Sequence, residues 1–304
     1  MWRIFLPSET MVLNEIRPKL RAKRTAMDKY ILVPVDFSPS SINAMEHAVL
    51  YANAMRCDIK MIHVKRRNAD YDPVINYSDY DEVLKSSAAN NFKRIIAHFS
   101  GKMKGKMDYC VRDGRVFTEV CNQAKYGDAL MIISGTNGVS GFKERWEGSN
   151  AFRIVSHAIC PVITIKYNFV PQSPRRIVVP IDNSERTRLK IPFVARIAKN
   201  FNAEMILVDV RNDNKFTTQK KMADAMKAVT VYLDRHNVRY SKETLQVKKS
   251  KTARAVIDCA IENDADLIAA TSERLDSGWQ QFSVSNQQRL VNHSPIPVIT
   301  IKVA

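Results

Sequence analysis

Residues 134–150 read SGTNGVSGFKERWEGSN and hold four of the chain's nine glycines, Gly135, Gly138, Gly141 and Gly148. The first hundred residues hold none. Glycine is needed where backbone turns through positive φ or must lie close to another group. The spacing is Gly135-x2-Gly138-x9-Gly148-Ser149, followed by Asn150 and the apolar-periodic AFRIVSHA. Such a loop lets backbone N–H groups converge on an anion. The helix that follows adds unpaired N–H groups and partial positive charge. Ser149 can cap that helix and offer a hydroxyl, and Lys143 and Arg145 supply nearby charge. The pattern is neither GxxxxGK[ST] nor GxGxxG, so it is not a Walker loop or a dinucleotide fingerprint. The bland reading is that the glycines only form a tight turn.

The elements around this loop occur twice. ILVPVD at 31–36 recurs as IVVPID at 177–182, an offset of 146, which IKMIHV at 59–64 and MILVDV at 205–210 keep. PVITIK at 161–166 recurs unchanged at 297–302, an offset of 136 that reaches back to DALMI and DADLI. The ten-residue difference is expected in the polar stretch 65–81, which also carries Asp79 and Asp81 as solvated loop residues. In the first copy, strands are expected near 31–36, 58–64, 107–111, 128–134 and 161–166. Helices are expected near 39–56, 80–100, 115–126 and 149–157. Ser38 and Pro39 suit a helix N-terminus. Apolar strands alternating with amphipathic helices mean a parallel sheet covered on both faces. The expected domains are 29–166 and 175–304, joined by a linker at 167–174. Residues 1–28 precede the pattern as an extension or an upstream start, with Met11 and Met27 as alternative starts.

Composition narrows the function classes. At 304 residues, 45% hydrophobic and 26% charged, the chain suits two globular domains. No apolar run approaches a membrane span. The net charge of +16 is diffuse, densest in RPKLRAKR at 17–24, and carries no nucleic-acid-binding module signature. Five scattered cysteines without paired spacing argue for a reducing, cytoplasmic setting and buried structural thiols. The six histidines are isolated. HExxH and GxSxG are missing, and no nucleophile–base pair announces an enzyme. His63 reads as a satisfied core residue, and His157 and His293 as structural because they occupy equivalent positions.

The glycine pattern after a fourth strand, the VPVDFS that ends the first, and the closing HAICPVITIK together resemble the universal stress protein family. The resemblance covers both halves of the chain. It implies two tandem open parallel five-stranded sheets with helices on both faces, Rossmann-like and similar to the adenine nucleotide alpha hydrolases. It also implies ATP as the ligand of the first copy, with Mg²⁺ as an optional companion. Carried over residue by residue, Asp36 would hydrogen-bond the nucleoside, with Pro34 and Val35 backbone beside it, and Val64 would contact adenine. Gly135, Asn137, Gly138, Gly148, Ser149 and Asn150 would line ribose and phosphates. Glu147 stands where such motifs have an apolar residue, which predicts modest affinity. In the second copy Thr271, Arg274 and Val284 replace the three glycines. Ser285 matches Ser149, and Asp182 stands for Asp36 with a capping role expected. One competent site is therefore expected. Family members dimerise through the last strand, so 161–166 and 297–302 are expected to pair as an intramolecular pseudo-dimer, with a homodimer of whole chains left open. The implied function is ATP binding in stress response or signalling, with slow hydrolysis at most. The competing class is an interaction module of the same fold that binds no nucleotide.

Overall fold

A computed structural model describes residues 29–65, 77–136, 150–182, 185–212, 216–272 and 288–302. The first copy runs β1 (Tyr30–Pro34), α1 (Pro39–Met55), β2 (Asp58–Lys65), α2 (Tyr77–Phe99), β3 (Met107–Asp113), α3 (Val116–Tyr126), β4 (Met131–Thr136), α4 (Asn150–His157) and β5 (Val162–Lys166). The second runs β6 (Arg176–Ile181), a 3₁₀ segment (Glu185–Lys190), α5 (Ile191–Phe201), β7 (Glu204–Arg211), α6 (Phe216–Arg235) and β8 (Tyr240–Gln246). A short 3₁₀ turn (Lys249–Lys251), α7 (Thr252–Glu262), β9 (Leu267–Ser272), helical residues 288–293 and β10 (Val298–Lys302) complete it.

The ten strands among the described residues form one sheet in the order β3-β2-β1-β4-β5-β10-β9-β6-β7-β8. Each half is parallel. The halves meet where β5 and β10 pair antiparallel, Thr164 opposite Val298 and Val162 opposite Thr300. The duplicated VITIK segments thus cover each other's edge at the centre of the sheet, as their sequence identity predicts. Alternation sorts the strand residues onto two faces. Ile31, Val33, Ile163, Ile165, Ile299 and Ile301 join a single apolar cluster that crosses the seam. On the other face, Leu32 and Ile62 belong to a first-copy cluster, and Val178 and Ile268 to a separate second-copy one.

The copies differ by more than one deletion. The offset of 146 at Ile59 and Met205 falls to 133 at Met107 and Tyr240, then rises to 136 at Val116 and Thr252. The second copy is therefore thirteen residues shorter before its third strand and three longer after it, where Lys249–Lys251 makes the extra turn. Asp79 and Asp81 lie on α2, not in a loop, because the helix begins at Tyr77. The remainder of the connection, 66–76, lies outside the described residues. Ser38 caps α1 as expected, its side chain accepting from the Ser41 N–H. All five cysteines are free, and burial pushes the Cys57 thiol up to about 11 and that of Cys259 to about 12.

The linker is held from both sides. Asn43 on α1 shares its Nδ2 hydrogens among the carbonyls of Lys166, Tyr167 and Phe169, at 3.1–3.2 Å. The buried Asp266 carboxylate accepts from Gln172 Nε2 and from the N–H groups of Arg175 and Arg176. His47, 2% exposed, lies 3.5 Å from the Phe169 carbonyl with its ring beside that phenyl. Burial pushes its pKa down to about 4 from 6.5, against a weaker upward pull from the Phe169 carbonyl. The native state therefore binds fewer protons than the unfolded chain between those values. Stability should be fully present above pH 6.5 and fall as pH drops toward 4, by at most about 3 kcal/mol. Urea titrations across that range should show the fall in the parent protein and a flatter profile in His47→Gln.

Candidate functional site

Strand order reverses between β1 and β4, with β2 and β3 winding to one side and β5 to the other. Open parallel sheets bind ligands at such a switch point, beyond the carboxyl ends of the strands. β1 and β4 are in register only at Ile31/Met131 and Leu32/Ile132, whereas β1 and β2 pair at five positions. The crevice opens past these two rungs. Pro34, Val35 and Asp36 stand on one side of it and Ser134, Gly135 and Thr136 on the other.

Both backbone groups of Val35 are already engaged. Its N–H donates to the Ile62 carbonyl at 2.8 Å, and its carbonyl accepts from His63 Nδ1 at 2.8 Å. That bond fixes the His63 tautomer with its proton on Nδ1. The ring is half-buried and lies 4.8 Å from Phe37, whose φ of 64° puts a bulky residue in the left-handed region. Such backbone costs about 1–2 kcal/mol and is held here by His63 and by Phe92, 5.2 Å away. His63 is thus satisfied, as its sequence context suggests, but at the rim of the crevice and not in the core.

Asp36 is exposed, and its Oδ1 accepts from both the N–H and the hydroxyl of Ser38, at 3.0 and 2.5 Å. Partial burial would raise its pKa, yet the donors of Ser38 and Ser41 outweigh this and hold it below 3.8. The carboxylate is therefore ionised at neutral pH. Gly135 is required by close approach, since a Cβ there would lie 2.4 Å from the Ser40 carbonyl oxygen. Its absence lets the first turn of α1 sit against β4. The Ser40 hydroxyl is buried at that contact without a hydrogen-bond partner among the described residues. Val64 packs on the opposite face of β2, with the α3–α4 cluster. Asn150 opens α4, half-buried. Asn137, Gly138, Gly148 and Ser149 lie outside the described residues.

Several rim residues have only faint sequence signals. Ser40 is visible only as one of three serines around Pro39. Gly114, the lone glycine of VRDGRV, takes a φ of 147° and donates its N–H to the Lys65 carbonyl, closing the β3–α3 turn onto the end of β2. Among the described residues no three His, Cys, Asp or Glu side chains come together as a metal site.

The second copy has a different crevice. Thr271 stands where Gly135 does, and the segment equivalent to the first turns of α1 is 3₁₀, with α5 beginning only at Ile191. Lys190, the counterpart of Ala44, is 3% exposed, and its Nζ donates to the Pro180 carbonyl at 2.5 Å. Burial lowers its pKa to about 8, against a weaker upward pull from the exposed Asp182 carboxylate. Residues 183 and 184, which an Asp182 cap would engage, lie outside the described set. Asp209 replaces His63. It ion-pairs with Arg211 at 2.7 Å through Oδ2, while its buried Oδ1 has no hydrogen-bond partner among the described residues.

Two outcomes follow. Gly135→Ala should destabilise the protein by about 2 kcal/mol in chemical denaturation, because the obstructing atom is backbone and cannot swing away. Lys190 binds fewer protons folded than unfolded between pH 8 and 10.5. Its burial penalty should therefore lift as pH rises through that window, increasing stability by at most about 3 kcal/mol. A Lys190→Met variant should lose the rise, which denaturant titration at pH 7.5 and 10 measures.

Comparison with known proteins bears on this geometry. The universal stress protein family matches residues 27–166 and again 174–302. Universal stress protein MJ0531 of Methanocaldococcus jannaschii is 26% identical over 144 residues, 45% of this chain and 82% of the relative. Universal stress protein YxiE of Bacillus subtilis is 24% identical over 145 residues, 45% of this chain and 97% of the relative. A solved universal stress protein from Archaeoglobus fulgidus superposes with a TM-score of 0.73 at 18% identity. It covers 90% of this chain and 98% of its own, and so shares the tandem fold. With the family matched over both copies and both built on the same five-stranded plan, the chain belongs to the universal stress protein family as a tandem two-domain member.

Proposed function

We propose that the first copy binds ATP at the β1–β4 crevice and that the protein acts in stress response or signalling, with slow hydrolysis at most. One observation carries the reading: the first copy has Ala44 where Lys190 fills the second crevice. The residues suit an adenine nucleotide. Asp36 is ionised at the end of β1 and can accept from a ribose hydroxyl. Pro34 and the engaged Val35 backbone form the floor, and Val64 offers apolar contact near the end of β2. The buried Ser40 hydroxyl, without a hydrogen-bond partner among the described residues, adds a donor beside Gly135. Gly135, Asn137, Gly138, Gly148, Ser149 and Asn150 would line ribose and phosphates, with Mg²⁺ as the phosphate counter-ion. Val64 faces α3 and α4, so adenine would lie toward that face.

A second reading has specific support. Gly135 is fully explained by the approach of α1, and Asp36 by its turn with Ser38. An interaction module that binds no nucleotide would need both. Counting nucleotide released on denaturation, by mass spectrometry, separates the two. The ATP reading expects about one adenine nucleotide per chain, not two, and loss of it in Gly148→Val, which copies the second repeat. No nucleotide, with no binding on titration with ATP and Mg²⁺, would leave the interaction module.

A further inference from the structure

At the opposite end of the second half-sheet, β6, β7, β8 and β9 begin around a concavity of about 320 Å³. Arg175, Arg176, Glu204, Arg239 and Asp264 line it. Strand register gives the first-copy counterparts as Lys29, Tyr30, Asp58, Lys106 and Asp128. The acidic positions are kept, and one has a backbone reason. Asp128 and Asp264 both turn through positive φ, at 57° and 47°. The other three positions differ in one direction only. Lysine, tyrosine and lysine in the first copy stand against three arginines in the second. A guanidinium differs from an ammonium by its planar fork, which matches two oxygens of a phosphate or carboxylate.

The surroundings hold this arginine set in place and leave donors over. Arg176 Nη1 donates to the Asn263 carbonyl at 2.8 Å and lies 3.6 Å from the Asp264 carboxylate. Arg239 Nη2 donates to the Asn202 carbonyl at 2.6 Å. One nitrogen of each fork is thereby anchored. Arg175 is fixed through its backbone, its N–H on Asp266 and its carbonyl accepting from the Glu204 N–H. Its guanidinium makes no hydrogen bond or ion pair among the described residues. Three guanidiniums against two carboxylates, one of them beside Arg176, leave the concavity net positive.

We propose that this concavity is an oxyanion site that takes a small phosphorylated ligand, with the phosphate between the forks of Arg175 and Arg239. Its volume is at the lower end of ligand pockets, about 300–1,000 Å³, which favours a compact ligand. The arginines surround a hollow instead of forming a stripe, which favours a small molecule over a nucleic-acid backbone. The site does not depend on the nucleotide reading, because it lies at the amino ends of the second-copy strands and not at the first-copy crevice.

The test is calorimetric titration of the full chain with sodium pyrophosphate at low ionic strength. The Gly148→Val protein, whose first-copy phosphate loop is disabled, should retain one saturable site, and the arginine variants are made in that background. Arg175→Ala should weaken it by about tenfold or more, and Arg175→Lys by an intermediate factor, because lysine keeps the charge and loses the fork. Arg175→Lys also serves as the informative variant should the alanine variant melt early. Absence of saturable binding in Gly148→Val, or equal affinity in all three proteins, would overturn the proposal. So would a DNA duplex that binds more tightly than pyrophosphate and depends on Arg175, since the phosphate would then belong to nucleic acid.

Discussion

The antiparallel contact between β5 and β10 is the constraint from which the rest of the molecule follows. Each half-sheet alone would end in an apolar strand with a full row of unpaired backbone groups. Pairing the two removes both liabilities at once and makes ten strands continuous. It also merges the apolar surfaces on one face into a single cluster, while the other face keeps one cluster per copy. Among the described residues the apolar cores of the halves are thus joined on one side only, while on the other Lys302 reaches the Ser156 carbonyl of α4. On the joined side α1 meets α5, Tyr51 edge-on to Phe201 at 5.0 Å.

Within this frame the two copies have diverged at one backbone contact. Gly135 admits the first turn of α1 against β4, and the helix begins at Pro39. Thr271 brings a branched side chain to the same place, and the corresponding segment is 3₁₀, six residues long. That tighter winding carries Lys190 inward until its ammonium meets the Pro180 carbonyl. A single Cβ and a filled crevice are therefore linked through the geometry of the chain between them. The replacement of Gly135 by Thr271 is the sequence trace of this change, and a buried cation is its structural counterpart.

Much of this was legible in the sequence. Strand positions, the Ser38 cap and the central pairing follow from alternation, turn chemistry and the repeated PVITIK. What was not legible needed three-dimensional proximity. Lys190 is one of 47 basic residues, and only its counterpart Ala44, with Ile191 next to it, hints that it faces inward. The His63 bond to Val35 depends on the left-handed turn at Phe37, which no glycine announces. The ten-residue difference read as one deletion because the intervening helices share no sequence. Strand register resolves it into thirteen lost and three gained.

α1 connects the crevice to the joint between the copies. Its first turn lies against Gly135, and one and two turns later Asn43 and His47 in succession hold the carbonyls of the linker. Its last turns carry Tyr51 onto the second copy. A helix moves as a rigid unit, because its hydrogen bonds run along its axis. Any occupant that shifts the Ser38–Ser41 turn must therefore also strain the Asn43 bonds or slide Tyr51 across Phe201. One helix thus touches Gly135 at its start, the linker at its middle and the second copy at its end.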